Sequence, residues 1–395
     1  MRKLALLLLL AGTVPPAFSA KSVTLEKVDQ LLIHAHGKPD AKVAKQLFNL
    51  ELTERVNSAR FTRWEAELPG PNSRQALVAL ADASAFLSLP PEEIPTTPVL
   101  DRAAQDSLLS RTMNYVTDTI PKLPNFFATR DTTRFSDELE NVQSMTLDTS
   151  QFRELHLVGI SSDKVYFRGG KEVVVANASE EASLPEKSLT TQGIFGETME
   201  LILRDVLPSG PAWSHWEGGA DAPLAVFRYA VPLGRSHYAV ILPDAPGGAQ
   251  PHAAYHGEIT IDPATGAVLR LTIVTELSRS SRLSKGNVVV EYGPVEIGTI
   301  KYICPVKSIS LTVAHNITLD SQYRISAEAS KAGPPGAHMN DLQMHPDSTQ
   351  ATPPVTSVND VRFKEYHRFR AEIRIVPGVN INPDSKPPAP DTNQP

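Results

Sequence analysis

The residues best able to do chemistry stand together in Tyr255-His-Gly-Glu-Ile-Thr-Ile-Asp262, where a histidine, a glutamate and an aspartate fall inside one short run. A His-x-carboxylate pair can supply two ligands of a facial metal site, and a third ligand such as His215 would complete a hydrolytic centre. The same spacing recurs at His215-Trp-Glu217 and His345-Pro-Asp347. Strand geometry offers a plainer reading. Side chains alternate along an extended chain, so Tyr255, Gly257, Ile259 and Ile261 take one face and His256, Glu258, Thr260 and Asp262 the other. Asp262-Pro-Ala-Thr-Gly266 then reads as a turn: proline suits its second position, Gly266 supplies a positive φ, and the Asp262 carboxylate accepts from nearby backbone N–H groups. Ala267, Leu269, Leu271 and Ile273 resume an apolar face. The stretch is a hairpin first, and no metal ligands are assigned to it.

Trp213-Ser-His-Trp-Glu217 holds two of the three tryptophans. An extended run would put Trp213, His215 and Glu217 on one face and Ser214 with Trp216 on the other. Aromatics at the mouth of a sheet can line an apolar pocket or plug it. Neighbouring strand side chains diverge, so Ser214 and His215 are not expected to act as nucleophile and base. Cys304, in Tyr-Ile-Cys-Pro305, has no local histidine or cation and reads as a small buried hydrophobe. Arg130 and Arg134 could bind an anion, but anchoring carboxylates or carbonyls at a domain junction is the simpler use. His34-Ala-His36 precedes Gly37 and suits a helix C-terminus. No G-x-S-x-G elbow, H-E-x-x-H pair or glycine-rich phosphate loop is present, and neither a catalytic residue nor a cofactor is assigned.

The elements that must position these residues come in two runs. Residues 1–20 carry Arg2, Lys3, an apolar run and a small-residue site near Ser19, the pattern of a secretory signal peptide. Its apolar run is too short to span a bilayer. The rest is expected to be exported, periplasmic or extracellular, with no transmembrane segment. A single cysteine allows no internal disulfide, so stability rests on a core. With 38 basic and 44 acidic residues and no basic block, a nucleic-acid partner is not expected.

Residues 21–133 read as a helical domain. Asp40 precedes Val43, Leu47 and Phe48; Asn72 or Ser73 can cap a helix carrying Leu77, Leu80, Ala81 and Ala85; a longer helix starts near Thr97-Pro98 with a stripe Leu109, Met113, Val116, Ile120. Residues 134–380 read as an antiparallel β domain. Its strands span 152–160, 164–167, 172–175, 224–231, 237–242, 255–262, 267–275, 287–292, 296–304, 306–313 and 361–375, and a helix spans 193–207. Residues 331–358 read as a mobile loop and 381–395 as a disordered tail. A sheet that long must curl or close to limit its edges. The fold class is therefore α+β, a helical domain followed by a curved antiparallel sheet in a partly closed barrel, with a helix packed on it.

Several phrases carry a resemblance. Leu52-Thr-Glu-Arg55, the run from Leu123 to Phe135, Trp213 to Glu217, Tyr255 to Leu271, Val290 to Gly298, Tyr302 to Leu311 and Val358 to Ile375 resemble an uncharacterised family of exported soil-bacterial proteins, a likeness that brings no activity with it. The β half resembles the open, helix-plugged barrel of periplasmic lipoprotein carriers of the LolA/LolB kind, and no binding residue is carried over from them. The expected function is non-enzymatic: an apolar or lipid-like ligand, or an envelope protein, held in the concave sheet by Trp213, Trp216, Phe227, Tyr229 and Tyr255. A metal-assisted hydrolase using His256, Glu258 and His215, and a purely structural interaction module, are the alternatives.

Overall fold

The structure is a computed structural model, and it describes residues 21–35, 37–138, 154–174, 193–240, 252–277, 283–314 and 354–369. The expected leader, His36, His345-Pro-Asp347, most of the 331–358 loop and the tail lie outside the described residues.

A helical layer comes first: β1 (Lys21–Val23), α1 (Leu25–Ile33), α2 (Asp40–Phe48), β2 (Leu50–Leu52), α3 (Ser58–Glu67) and α4 (Pro71–Ala83). β1 and β2 pair in parallel. The helices turn Val28, Leu32, Val43, Leu47, Trp64 and Leu77 into a core of their own. Trp64 donates its indole N–H to Asp29 at 2.5 Å, so its one polar group is satisfied as it is buried. Neither Asn72 nor Ser73 caps α4. Proline suits a first turn, so the helix begins at Pro71, and the Asp40 carboxylate of α2 accepts from the Asn72 and Ser73 N–H groups at 2.9 Å each.

α5 (Arg102–Thr119) follows. It starts four residues beyond the expected Pro98 because Asp101 is the better cap, accepting from Ala104 N–H at 2.8 Å. Its buried line is Leu108, Thr112 and Val116, with Leu109 only partly covered.

The β half contains β3 (Phe126–Ser136), β4 (His156–Arg168), β5 (Lys171–Val174), α6 (Glu197–Val206), β6 (Ala212–Glu217), β7 (Leu224–Val231), β8 (Ala254–Ile261), β9 (Val268–Glu276), β10 (Leu283–Ile297), β11 (Ile300–Ala314) and β12 (Val355–Arg368). The ten strands form one antiparallel sheet in the order β5-β4-β3-β12-β11-β10-β9-β8-β7-β6. β5 and β6 do not pair, so among the described residues the sheet is open. No helix of the described residues is long and apolar enough to cross a membrane.

Several strands differ from the sequence reading. β3 begins at Phe126, ahead of the expected boundary at 133, and takes in the whole Arg130–Arg134 stretch. A single strand, β4, replaces two expected ones. Residues 237–240 form no strand, only a bridge from Ala239 to His252. Gly298 takes a φ of 73° and turns the chain, so the expected strand 296–304 is divided between the two fifteen-residue arms of a hairpin, β10 and β11. β12 starts at Val355, inside the expected loop.

Alternation gives the sheet two differently used faces. Val288, Val290 and Tyr292 of β10 point to an inner face covered by α5 and α6. Val289 points the other way and, with Phe135, Ile309 and Val358, receives Ala79 and Ala85 from the helical layer.

Candidate functional site

The five aromatics expected to bind ligand do meet on the inner face. Trp213 and Trp216 lie edge to face at 4.9 Å, and Trp213 meets Phe227 at 5.5 Å. Tyr229 meets Tyr255 at 5.9 Å. A β-bulge between Trp213 and His215 makes the tryptophan contact possible. One extra residue reverses the alternation, so both indoles face inward instead of opposite ways. The Trp216 N–H donates to Pro98 O at 2.8 Å, and the Tyr229 hydroxyl donates to Thr272 O at 2.6 Å. Trp216, Phe227, Tyr229 and Tyr255 are buried, and Trp213 is partly so. Gly257 stands where a Cβ would collide with the Thr272 carbonyl, so only glycine fits beneath Tyr229.

The same bulge presses Ser214 Oγ to 2.8 Å from His215 Nδ1, a contact the divergence of neighbouring side chains does not predict. The other ring nitrogen is buried without a hydrogen bond. Glu217 is bound to Arg55 of the helical layer at 2.9 Å. His256 pairs with Glu276 at 3.1 Å in an exposed position, and Glu258 lies opposite Arg228. His215 and His256 sit on β6 and β8, with β7 between them. Among the described residues, no three His, Cys, Asp or Glu side chains are grouped to hold a metal. Asp262 closes its turn as expected, accepting from Ala264 N–H at 2.9 Å and Thr265 Oγ at 2.6 Å.

The more informative geometry is the seam between the helices and the inner face. α6 is held at its start by a half-buried carboxylate and at its end by a buried one. At its start, Glu172 of β5 accepts from Ile194 N–H at 3.1 Å, and the Tyr292 hydroxyl donates to Ile194 O at 3.2 Å. Burial pushes the Glu172 carboxyl up to about 7, with Arg130 and the N–H groups of Gly193 and Ile194 pulling it down. At its end, Asp205 accepts from the His237 backbone N–H at 2.9 Å, meets His237 Nδ1 at 2.6 Å, and accepts from the Tyr255 hydroxyl at 3.0 Å. Burial raises the Tyr255 phenol, and the bond to Asp205 raises it further.

Between these anchors Phe195 lies 5.4 Å from Phe126 and 5.3 Å from Phe363. A cavity of about 10 Å³ remains there, lined by Tyr115, Ile120, Phe195, Met199, Tyr292 and Ile303 among others. That is room for at most one water. A Cβ on Gly196 would lie 2.5 Å from Ile120 Cγ2, so the glycine lets the end of α5 rest on the start of α6. Cys304 sits in the same core, and burial pushes its thiol up to about 12, far from nucleophilic use.

No protein-family model, no curated protein and no solved structure matches this chain. Function must therefore be read from the site alone.

Arg130 and Arg134 sit on the inner face and hold protein groups: Arg130 bonds Asp163 at 3.2 Å and Arg134 bonds Ser161 at 3.2 Å. These pairs explain why β3 lacks an apolar alternation. Sequence reasoning missed Glu172, Asp205, His237 and Tyr292. Their partners are distant in the chain, and no local spacing signals them. Phe195 and Met199 were legible as one apolar face of a helix, without a hint of what they cover.

Proposed function

We propose that the chain is a non-enzymatic binding protein that takes an apolar or lipid-like ligand against the inner face of its sheet, beneath α5 and α6. One observation carries the reading: the apolar inner face of an open ten-stranded sheet is covered by two helices that meet it largely through side-chain packing. Such contacts are non-directional, so ligand carbon can replace side-chain carbon at low cost.

The present cavity is far smaller than the roughly 300–1,000 Å³ of a ligand site, so binding requires α5 and α6 to move apart from the sheet. The aromatic cluster of Trp213, Trp216, Phe227, Tyr229 and Tyr255 then forms one wall of the opened space. Glu172 and Asp205 mark the two ends of α6 that must yield or pivot.

Native mass spectrometry of the chain purified from its own host's envelope fraction tests this. A lipid-sized adduct at one per chain is expected, together with uptake of a fluorescent fatty acid by the delipidated chain. A bare chain that takes up no apolar probe would overturn the reading.

A further inference from the structure

The outer face of the sheet carries a second surface that the helical layer leaves uncovered, at the corner formed by β12, β3, β4 and β5. Strand register decides which side chains share it. Phe127 pairs with Tyr166 and with His367, Lys164 with Thr129, Arg168 with Lys171, and Tyr166 with Val173. Phe126 and Phe167 face inward, so alternation turns Phe127, Tyr166, Lys164, Arg168, Lys171, Val173 and Lys364 outward together.

The rings form a connected group. Phe127 lies 6.0 Å from Tyr166 and 5.1 Å from His367, and Tyr166 lies 6.2 Å from Phe369. The Lys164 ammonium stands 5.1 Å over the Phe127 ring. Beside them Val173 is 44% exposed, and Ile160 further along the same row is 65% exposed. The frame beneath is firm: Gly169 N–H donates to Asn125 Oδ1 at 3.0 Å, and Phe369 N–H donates to Asn125 O at 3.1 Å.

Charge identifies the occupant. The chain as a whole carries a net charge of −6. This corner instead gathers Lys164, Arg168, Lys171 and Lys364 against two acids, Asp131, bound to Lys364 at 2.6 Å, and Glu365, which accepts from Thr129 Oγ at 2.7 Å. Half-buried rings beside exposed aliphatic side chains, ringed by cations, suit the boundary between lipid headgroups and acyl chains. Exposed Val173 and Ile160 favour acyl chains over stacked nucleobases.

We infer that this aromatic and basic corner docks the protein onto an anionic lipid surface. It lies on the face opposite the proposed ligand seam, so the two stand or fall separately.

Vesicle flotation of the full chain tests it, with phosphatidylcholine alone against phosphatidylcholine mixed with phosphatidylglycerol. Binding is expected only to the anionic vesicles and is expected to fall as salt screens the contact. Lys164→Glu and Lys171→Glu should each weaken vesicle affinity at least about five-fold. Tyr166→Ser with Phe369→Ser should abolish flotation while circular dichroism stays unchanged. If that double variant unfolds, the salt dependence of the unaltered chain still decides. No flotation on anionic vesicles, equal flotation on neutral ones, or charge variants that bind as well as the unaltered chain would each overturn the inference. Capture of a protein or nucleic acid through Tyr166 and Lys164 without vesicle binding would overturn it as well. A chain that floats but loads no apolar probe contradicts the proposed function and leaves this surface standing.

Discussion

The two faces of one sheet are held by different physics. On the inner face, Phe126, Val290 and Tyr292 meet Phe195 and Ile202 of the helical cover in a mainly apolar core, with polar contacts at Glu172 and Asp205 at the two ends of α6. On the outer face, the helical layer is pinned by directional charged contacts. Lys307 of β11 reaches Asp82 of α4 at 2.6 Å and Asp360 of β12 at 3.5 Å, Arg55 reaches Glu217, and Arg270 donates to Ala85 O at 2.6 Å. Burial pushes Asp82 up to about 8 even with Lys307 pulling it down, and Asp360 adds to the rise. Burial works to lower the Lys307 ammonium, and the two aspartates outweigh it. Asp82 therefore holds its proton more readily than a free carboxyl, next to the Lys307 ammonium. Such a cluster fixes position, because a shifted partner leaves a charge buried alone. In the proposed binding mode, α1–α4 are the fixed scaffold and α5 with α6 the cover that moves.

The largest expected effect breaks the fixed side. Lys307→Met leaves buried Asp82 without its cation and Asp360 with Arg362 alone, and should cost about 3–5 kcal/mol in urea unfolding, with uptake of an apolar probe by the surviving folded fraction unchanged. Met199→Ala attacks the other side. It should cost about 2–4 kcal/mol and yet raise uptake of the fluorescent fatty acid, because it enlarges the cavity under α6. Uptake that falls with Lys307→Met as steeply as stability does would erase the distinction between the faces.

A pH titration sharpens it. Glu172 and Asp82 hold their protons in the folded chain beyond their unfolded values, so their contribution is complete at acid pH and is lost as pH rises through about 7–8. The thermal midpoint should decline from about pH 4 to about pH 8, by the equivalent of about 1–3 kcal/mol. Asp82→Asn with Glu172→Gln should flatten that slope, and a slope unaltered in the double variant would show that neither group carries it. The smallest effect is expected at the opening histidine. His256→Ala removes an exposed pair with Glu276 and should move stability by less than about 0.5 kcal/mol in the same unfolding assay, with metal content unchanged.

Where structure follows local chemistry, the sequence is a good guide. The β8–β9 hairpin, β7 and the buried face of α6 follow from alternation, from helical spacing and from the Asp262 turn. β3 was hidden because Arg130 and Arg134 point inward to Asp163 and Ser161, which removes the apolar alternation. Asp40 capping α4 from another helix, and the bulge that joins Trp213 to Trp216, depend on contacts no window of sequence contains. The candidate site was legible as a set of aromatics and illegible as a place. Its helical cover is defined by Glu172, Tyr292 and Asp205, whose partners come from strands and loops far along the chain.

The central claim is that ligand enters under α5 and α6 while the outer-face scaffold stays still. Hydrogen–deuterium exchange of the delipidated chain, with and without a saturating fatty acid, tests it most directly. The account predicts altered exchange at Glu197–Val206, at the Ile120 end of α5 and around Tyr292, with α1–α4 unchanged. Fatty acid that leaves α6 untouched, or alters α1–α4 instead, would contradict it.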